Sequence, residues 1–209
     1  MSSIRTFAVL GALTVVAMPV EGRQGDRNAA RPLPTLDEVG AVTVLTALRN
    51  GGHILACRHA ITDRSGNRRG PVSLNDRSTQ RNLSAEGEEQ ARRLGRAVEA
   101  LDVPIGDVYS SPWARTLESA QISFGRATRD DMLHGQHSAR ELRERFNRSP
   151  QEGNTVLMTH QGLLRMGLGY RQPGEGDCIV VRPSEDGPNV IVNVTVPEWE
   201  MMARARNGR

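Results

Sequence analysis

Lysine is absent from the 209 residues, and all 27 basic side chains are arginine. Aromatic residues make up 3% of the chain and cysteine occurs twice. Each shortage excludes something. Three Phe, two Trp and two Tyr, scattered along the chain, supply no platform for stacking single-stranded nucleic acid. Two cysteines cannot staple a disulfide-rich scaffold. The length and the 37% hydrophobic content instead suit a core that forms without disulfides or metal. An arginine-only set with a formal net charge of +3 reads as a compositional bias. Net charge speaks to solubility and nonspecific binding, so no nucleic-acid partner is expected. A planar guanidinium still grips phosphate better than an ammonium does, so single arginines must be judged by position.

Residues 1–22 read as a secretory signal: Arg5 ahead of an uncharged apolar run from Thr6 to Val20, then Val20-Glu21-Gly22 before a cleavage point. The run is short for a bilayer span, which needs about 20 residues. An uncleaved anchor or a start codon set too far upstream would give the same pattern. No cysteine lies near its end, so a lipid anchor is not expected. The expected organisation is a flexible segment over 23–34, one domain over 35–200 and a C-terminal tail over 201–209. The expected location is periplasmic or secreted, with no stable membrane insertion after processing. Export permits a bridge between Cys57 and Cys178. Both lie in apolar runs, however, and two free buried thiols are the expected state.

Apolar residues at helical spacing from Thr35 to Asn50 predict a helix stopped by Gly51-Gly52. His53–Cys57 reads as a buried strand and Arg64–Arg81 as a polar loop. Ser84 caps a predicted helix reaching Leu101. Asp107–Ser110 is a short strand; Ser111 is then the expected cap and Pro112 the first position of a helix ending at Gly125. Ser138 to Glu141 is a capping box. Asn154–Thr159 is a strand followed by a short helix near Leu163. Cys178–Val181 and Val190–Val196 close the pattern as strands. Strands alternating with helices predict an α/β fold, a three-layer α/β/α sandwich around a mostly parallel sheet. Ligands of such sheets sit beyond the carboxyl ends of the strands.

Three of those ends carry chemistry: Arg58-His59-Ala60, then Ser110-Ser111-Pro112 with Arg115 one turn on, then Thr159-His160-Gln161-Gly162. A parallel sheet would bring two histidines and two arginines to one edge. An uncharged imidazole can attack phosphorus and form a covalent intermediate. Two guanidinium forks and a second imidazolium would hold the non-bridging oxygens. A helix opening after Ser111 would add backbone N–H donors.

Cys57-Arg58-His59-Ala60, Ser110 to Thr116 and Met158 to Gly162, with Asn82 to Gly87 between them, resemble the histidine phosphatase superfamily, also called phosphoglycerate mutase-like. The resemblance runs from about Gly52 to Pro183. It implies that His59 is the phosphorylated nucleophile, that Arg58, Arg115 and His160 bind the phosphate, and that no metal or nucleotide cofactor is needed. Ala60 stands where many members have glycine. Gln161 replaces the acidic dipeptide of the acid-phosphatase branch. The stretch between Arg115 and His160 is short, which places the chain nearest the small, phosphohistidine-phosphatase-like group with an open site.

Asp63 is the first candidate for the general acid, with Glu141 and Glu144 as alternatives. An unperturbed imidazole titrates near 6.5, so activity is expected to fall below about pH 6 unless a neighbour shifts His59. His134 and His137 could face one metal, but they lack further ligands at suitable spacing, and no metal is expected. His53 reads as structural. The arginines of the 64–81 loop read as solvated charge able to guide an anionic substrate. The expectation is an exported phosphatase acting on a phosphorylated small molecule or an envelope glycan. A non-catalytic anion-binding module and a phosphotransferase are the alternatives.

Overall fold

The computed structural model describes residues 30–65 and 71–207. The leader expected over 1–22 lies outside them, as does part of the 64–81 loop. Six strands form one sheet in the order β3-β2-β4-β1-β5-β6. They are β1 (Ile54–Arg58), β2 (Ile105–Ser110), β3 (Thr128–Arg129), β4 (Asn154–Thr159), β5 (Cys178–Arg182) and β6 (Asn189–Val194). β4 runs parallel to both β1 and β2, and β2 parallel to β3. β5 is antiparallel to β1 and to β6. The sheet is mostly parallel, as the alternation of elements predicts.

Side-chain alternation divides the core into two layers. Leu55 and Cys57 of β1, Val156 and Met158 of β4 and Val192 and Val194 of β6 face one side. They pack against α2 (Ala41–Arg49), α3 (Ala85–Ala100), α4 (Ala114–Phe124) and α7 (Val196–Asn207), whose Trp199 is fully buried. Ile54, Ala56, Leu157, Ile179 and Val181 face the other side. There they meet Leu142 of α5 (Ala139–Arg145), Phe146, and Leu164 and Leu168 of α6 (Gln161–Leu168). β4 is buried along its whole length, as a central strand covered on both faces must be.

Gly87 shows why the Asn82–Gly87 stretch is built as it is. A Cβ there would lie 1.8 Å from the carbonyl oxygen of Ile61. Helix α3 therefore presses its first turn onto the chain leaving β1, which only glycine permits.

Four expectations are corrected. The helix expected from Thr35 to Asn50 is two helices, α1 (Leu36–Val39) and α2, broken at Gly40, whose φ is +89°. Residues 201–207 are the end of α7 and not a tail, because Met202 and Ala203 repeat the helical spacing from Trp199 and are buried. Residues 31–34 are tied down: the Arg31 N–H donates to the Gly169 carbonyl, and the Pro34 carbonyl accepts from Asn193. Finally, Cys57 and Cys178 form a disulfide. The two sit directly opposite each other on the antiparallel pair β1 and β5, so two thiols that look independent across 121 residues of sequence are cross-strand neighbours.

Candidate active site

The parallel arrangement of β1, β2 and β4 brings their carboxyl ends to one edge. His59 leaves β1 and its N–H donates to the Thr159 carbonyl at 3.1 Å. His160 leaves β4 at the start of α6. The two imidazoles lie 5.6 Å apart between ring centroids. Arg58 is the last residue of β1, and Arg115 lies in the first turn of α4.

His59 is 3% exposed, and its Nδ1 lies 2.8 Å from the Ala60 carbonyl oxygen. A carbonyl only accepts, so Nδ1 carries the proton and the lone pair of the neutral ring is on Nε2. Ala60 is pinned in turn. Its N–H donates to Ser119 Oγ at 2.9 Å, and Ser119 donates to the Arg115 carbonyl at 2.6 Å. The nucleophile loop and helix α4 thus share one hydrogen-bonded joint. Burial pushes the His59 imidazole down from 6.5 to about 4, and the Arg115 and Arg58 charges act in the same direction. The ring is neutral at pH 7.

His160 is neutral for a related reason. Arg115 Nη2 donates to its Nδ1 at 3.2 Å, and its Nε2–H donates to Ser111 Oγ at 2.9 Å. Burial first, and then the charge of Arg115, drive its protonation well below the ordinary range. The Arg115 guanidinium also lies over the Trp113 ring, 4.5 Å from its centroid, which orients it through a cation–π contact. Arg58 donates from Nη1 to the Pro173 carbonyl at 2.9 Å and pairs from Nη2 with Glu175 at 3.3 Å. Its buried Nε has no hydrogen-bond partner among the described residues. An oriented cation with an unused buried donor fits an anion that is still to come.

Residues 54–145, which carry Arg58, His59 and Arg115, match the family profile described as histidine phosphatase superfamily (branch 1). His160, from β4, lies beside them and outside the matched stretch. That stretch is similar to the histidine phosphatase superfamily. No curated protein sequence matches the chain. Among solved structures it is similar to the protein histidine phosphatase SixA complexed with tungstate. That match has a TM-score of 0.55 at 13% identity and covers 69% of this chain and 97% of that one. A phosphoserine phosphatase mutant from Entamoeba histolytica follows at a TM-score of 0.48 and 13% identity, covering 70% and 98% of the two chains. A phosphoglycerate mutase from Thermus thermophilus gives 0.47 and 21%, covering 68% and 98%. The likeness to SixA is one of fold.

Within this fold, several expected residues hold other positions. Ser111 is no helix cap: the chain bends at Pro112 and Trp113, α4 opens at Ala114, and the Ser111 hydroxyl serves His160 instead. The Ala114 N–H is taken by Gln80 Oε1, so that donor is not offered to a ligand. A second imidazolium is absent too, since His160 is neutral. Asp63 is exposed in the loop after β1, and its Oδ1 accepts from both the N–H and the hydroxyl of Ser65. Glu141 closes the capping box on Ser138, and Glu144 pairs with Arg140. His134 and His137 turn back on local carbonyls, those of Asp131 and His134, and no cluster of metal-binding side chains occurs among the described residues. Of the loop arginines, Arg77 is paired with Glu118 on α4, and the charge of Arg81 reaches both Arg58 and His160. Two participants carry no signal in the sequence: Ser119, hidden inside a helix, and Glu175, in a glycine-rich loop. Only their spacing to Arg115 and to Cys178, read with the fold in hand, would have found them.

Proposed function

We propose that this protein is an exported phosphatase that hydrolyses a phosphomonoester through a phosphohistidine on His59. The observation that carries this reading is the fixed tautomer of His59, with Nδ1–H held by Ala60 and the Nε2 lone pair free to attack among Arg58, Arg115 and His160. In the first step Nε2 bonds to phosphorus and the bond to the leaving oxygen breaks; that oxygen takes a proton from Asp63 or from water. In the second step water attacks the phosphorus, the P–N bond breaks, and inorganic phosphate leaves with the Nε2 lone pair restored. The two guanidinium groups offset the charge on the equatorial oxygens throughout. A bound phosphate dianion would also favour the protonated form of His160, supplying the imidazolium that the free site lacks.

Export rests on the leader and is supported by the Cys57–Cys178 bridge, since disulfides persist in oxidising compartments. The matching substrates are phosphorylated sugars or phosphorylated envelope glycans. The test is a phosphomonoester panel with alkaline-detergent-quench trapping of labelled enzyme, since the P–N bond is labile in acid. Wild type is expected to turn over at least one member and to carry label on His59, and His59→Ala is expected to do neither. Phosphate binding by wild type without any turnover or trapped label would overturn the reading.

A further inference from the structure

We propose that Glu175 is a positioning residue of this site, holding the Arg58 guanidinium so that its remaining donors face the phosphate; the assignment rests on the phosphate-site reading above. Glu175 lies on the loop entering β5, and its side chain is only 12% exposed. Its Oε1 lies 3.3 Å from Arg58 Nη2, accepts from Thr62 Oγ1 at 3.3 Å, and lies 3.5 Å from Arg64 Nη2. One carboxylate therefore joins the phosphate-binding arginine to the chain that leaves the nucleophile.

The donor count explains the role. A guanidinium offers five N–H groups in a rigid fork. Pro173 takes one on Nη1, and Glu175 lies at ion-pair distance from Nη2, which leaves Nε–H and most of the terminal N–H groups for an anion. One hydrogen bond and one charge partner on the same loop fix the plane of the fork while leaving most of its donors for an anion. The hydrogen bond alone would leave the group free to swing.

The loop itself is held at both ends and in the middle. The Gly176 N–H donates to the His59 carbonyl at 3.0 Å, and the Arg58 N–H donates to the Asp177 carbonyl at 3.0 Å. Gln90 of α3 donates from Nε2 to the Glu175 carbonyl at 2.7 Å and accepts the Ile61 N–H on Oε1 at 3.0 Å. The disulfide joins Cys57, immediately before Arg58, to Cys178, immediately after Asp177. Every one of these links ties the Glu175 loop to the His59 segment, so displacement of the carboxylate is opposed by backbone bonds that need no side chain at position 175.

The experiment compares wild type, Glu175→Gln and Glu175→Ala for calorimetric binding of inorganic phosphate, for kcat and KM on the best panel substrate, and for thermal midpoint. Glu175→Ala is expected to weaken phosphate binding and to lower kcat/KM by about 10- to 100-fold, the scale of losing a close, partly buried charge partner. Glu175→Gln keeps an acceptor oxygen and is expected to recover most of that loss, with both midpoints near wild type. Unchanged phosphate affinity in Glu175→Ala overturns the proposal. Tighter phosphate binding also overturns it, because it would make Glu175 a competitor for Arg58. Equal loss in both variants together with a lowered midpoint overturns it in favour of a purely structural role. Phosphate binding is measured without turnover, so a protein that binds phosphate but hydrolyses nothing defeats the phosphatase reading while Glu175 is still decided by affinity.

Discussion

Strand β1 has a buried histidine at each end, and the two differ in what surrounds them rather than in what they are. His53 precedes the strand, with Nδ1 2.8 Å from the Gly51 carbonyl and its N–H donating to Asn154 Oδ1 at 3.1 Å. Asn154 donates its amide to the Leu48 and Pro104 carbonyls, at 2.7 and 2.9 Å. His59 follows the strand with the same kind of Nδ1–carbonyl bond, at 2.8 Å. Burial lowers the protonation of both rings. At the His53 end the hydrogen-bonded neighbours are backbone carbonyls and one amide, arranged to hold three chain segments together, with the Arg182 charge acting weakly on the ring. At the His59 end the neighbours are two guanidinium groups, a carboxylate and a second imidazole, and a buried donor of Arg58 is still unused. Buried polarity that is satisfied locally is structure, and buried polarity with capacity left over is a site.

The sharpest way to break that contrast is to truncate each histidine. His59→Ala is expected to lower kcat/KM by about 10⁴-fold or more, the scale on which loss of a nucleophile acts. Its unfolding free energy should stay within about 1 kcal/mol of wild type, because the group removed is buried without being fully used. His53→Ala is expected to do the reverse, with activity within a few-fold of wild type and a loss of about 1–3 kcal/mol in urea unfolding. A His53 variant that loses activity while keeping its stability would erase the distinction. Arg115→Ala follows in size: removing a donor aimed at developing charge costs about 2.7–4 kcal/mol, or 10²- to 10³-fold in kcat. Part of that loss passes through His160, whose Nδ1 would lose its guanidinium donor. His160→Ala in the Arg115→Ala background should therefore cost less than it does alone, and full additivity would show that the pair is uncoupled.

How much of this contrast is legible in the sequence depends on the distance over which each signal acts. Arg58-His59, Arg115 and His160 announce themselves because each sits just past a strand, and strand ends can be read from local hydropathy. The disulfide is not legible, since it requires β1 and β5 to be antiparallel neighbours, a pairing that no local pattern encodes. Ser111 misleads because Ser-Pro is a sound helix opening in isolation; here the Ser111 N–H pairs with the Met158 carbonyl, and the helix opens only at Ala114. Helix α7 runs past its expected end because Trp199, Met202 and Ala203 bury one face, although charged residues dominate the sequence near the chain end. Glu175 shows the general limit: its partners come from β1 and the chain after it, more than 100 residues earlier.

The pH response separates the two ends more finely. An unperturbed His59 would impose an acid limb near 6.5, whereas the buried ring titrates at about 4. The expected profile of single-turnover phosphoenzyme formation is therefore flat down to about pH 5 and falls through about 4, once corrected for the substrate's own ionisation near 6. The expectation of a decline below about pH 6 is replaced for that reason. Stability responds earlier than activity as the solution is acidified. Between 6.5 and about 4 the unfolded chain binds a proton at His59 that the folded chain refuses, so unfolding becomes easier as pH falls. The His59 contribution is about 2–3 kcal/mol, lost by about pH 4. His59→Asn should flatten that part of the stability curve. A limb at 6 or above would mean that the ring is not desolvated as its 3% exposure indicates.

The smallest expected effect concerns the first candidate acid, on the loop after β1. Asp63 sits in an exposed turn, and its Oδ1 is occupied by the backbone and hydroxyl of Ser65. A general acid matters in proportion to how badly the leaving oxygen needs a proton. With a nitrophenyl phosphate the leaving group departs as a stable anion, and Asp63→Asn should change kcat/KM by less than about 3-fold, since the acid's share of the barrier is then small. With an alkyl or sugar phosphate the same substitution should cost about 10²-fold if Asp63 donates, because alkoxide is expelled only with its proton. Asparagine keeps an acceptor for Ser65, so the turn survives and the two substrates are compared on one fold. Equal, small effects on both would remove Asp63 from the mechanism and leave water as the donor, the outcome that its exposure makes chemically sufficient. A steep dependence on leaving group would extend the used side of the comparison beyond the sheet edge, to a loop residue whose carboxylate is shared between its own turn and the reaction.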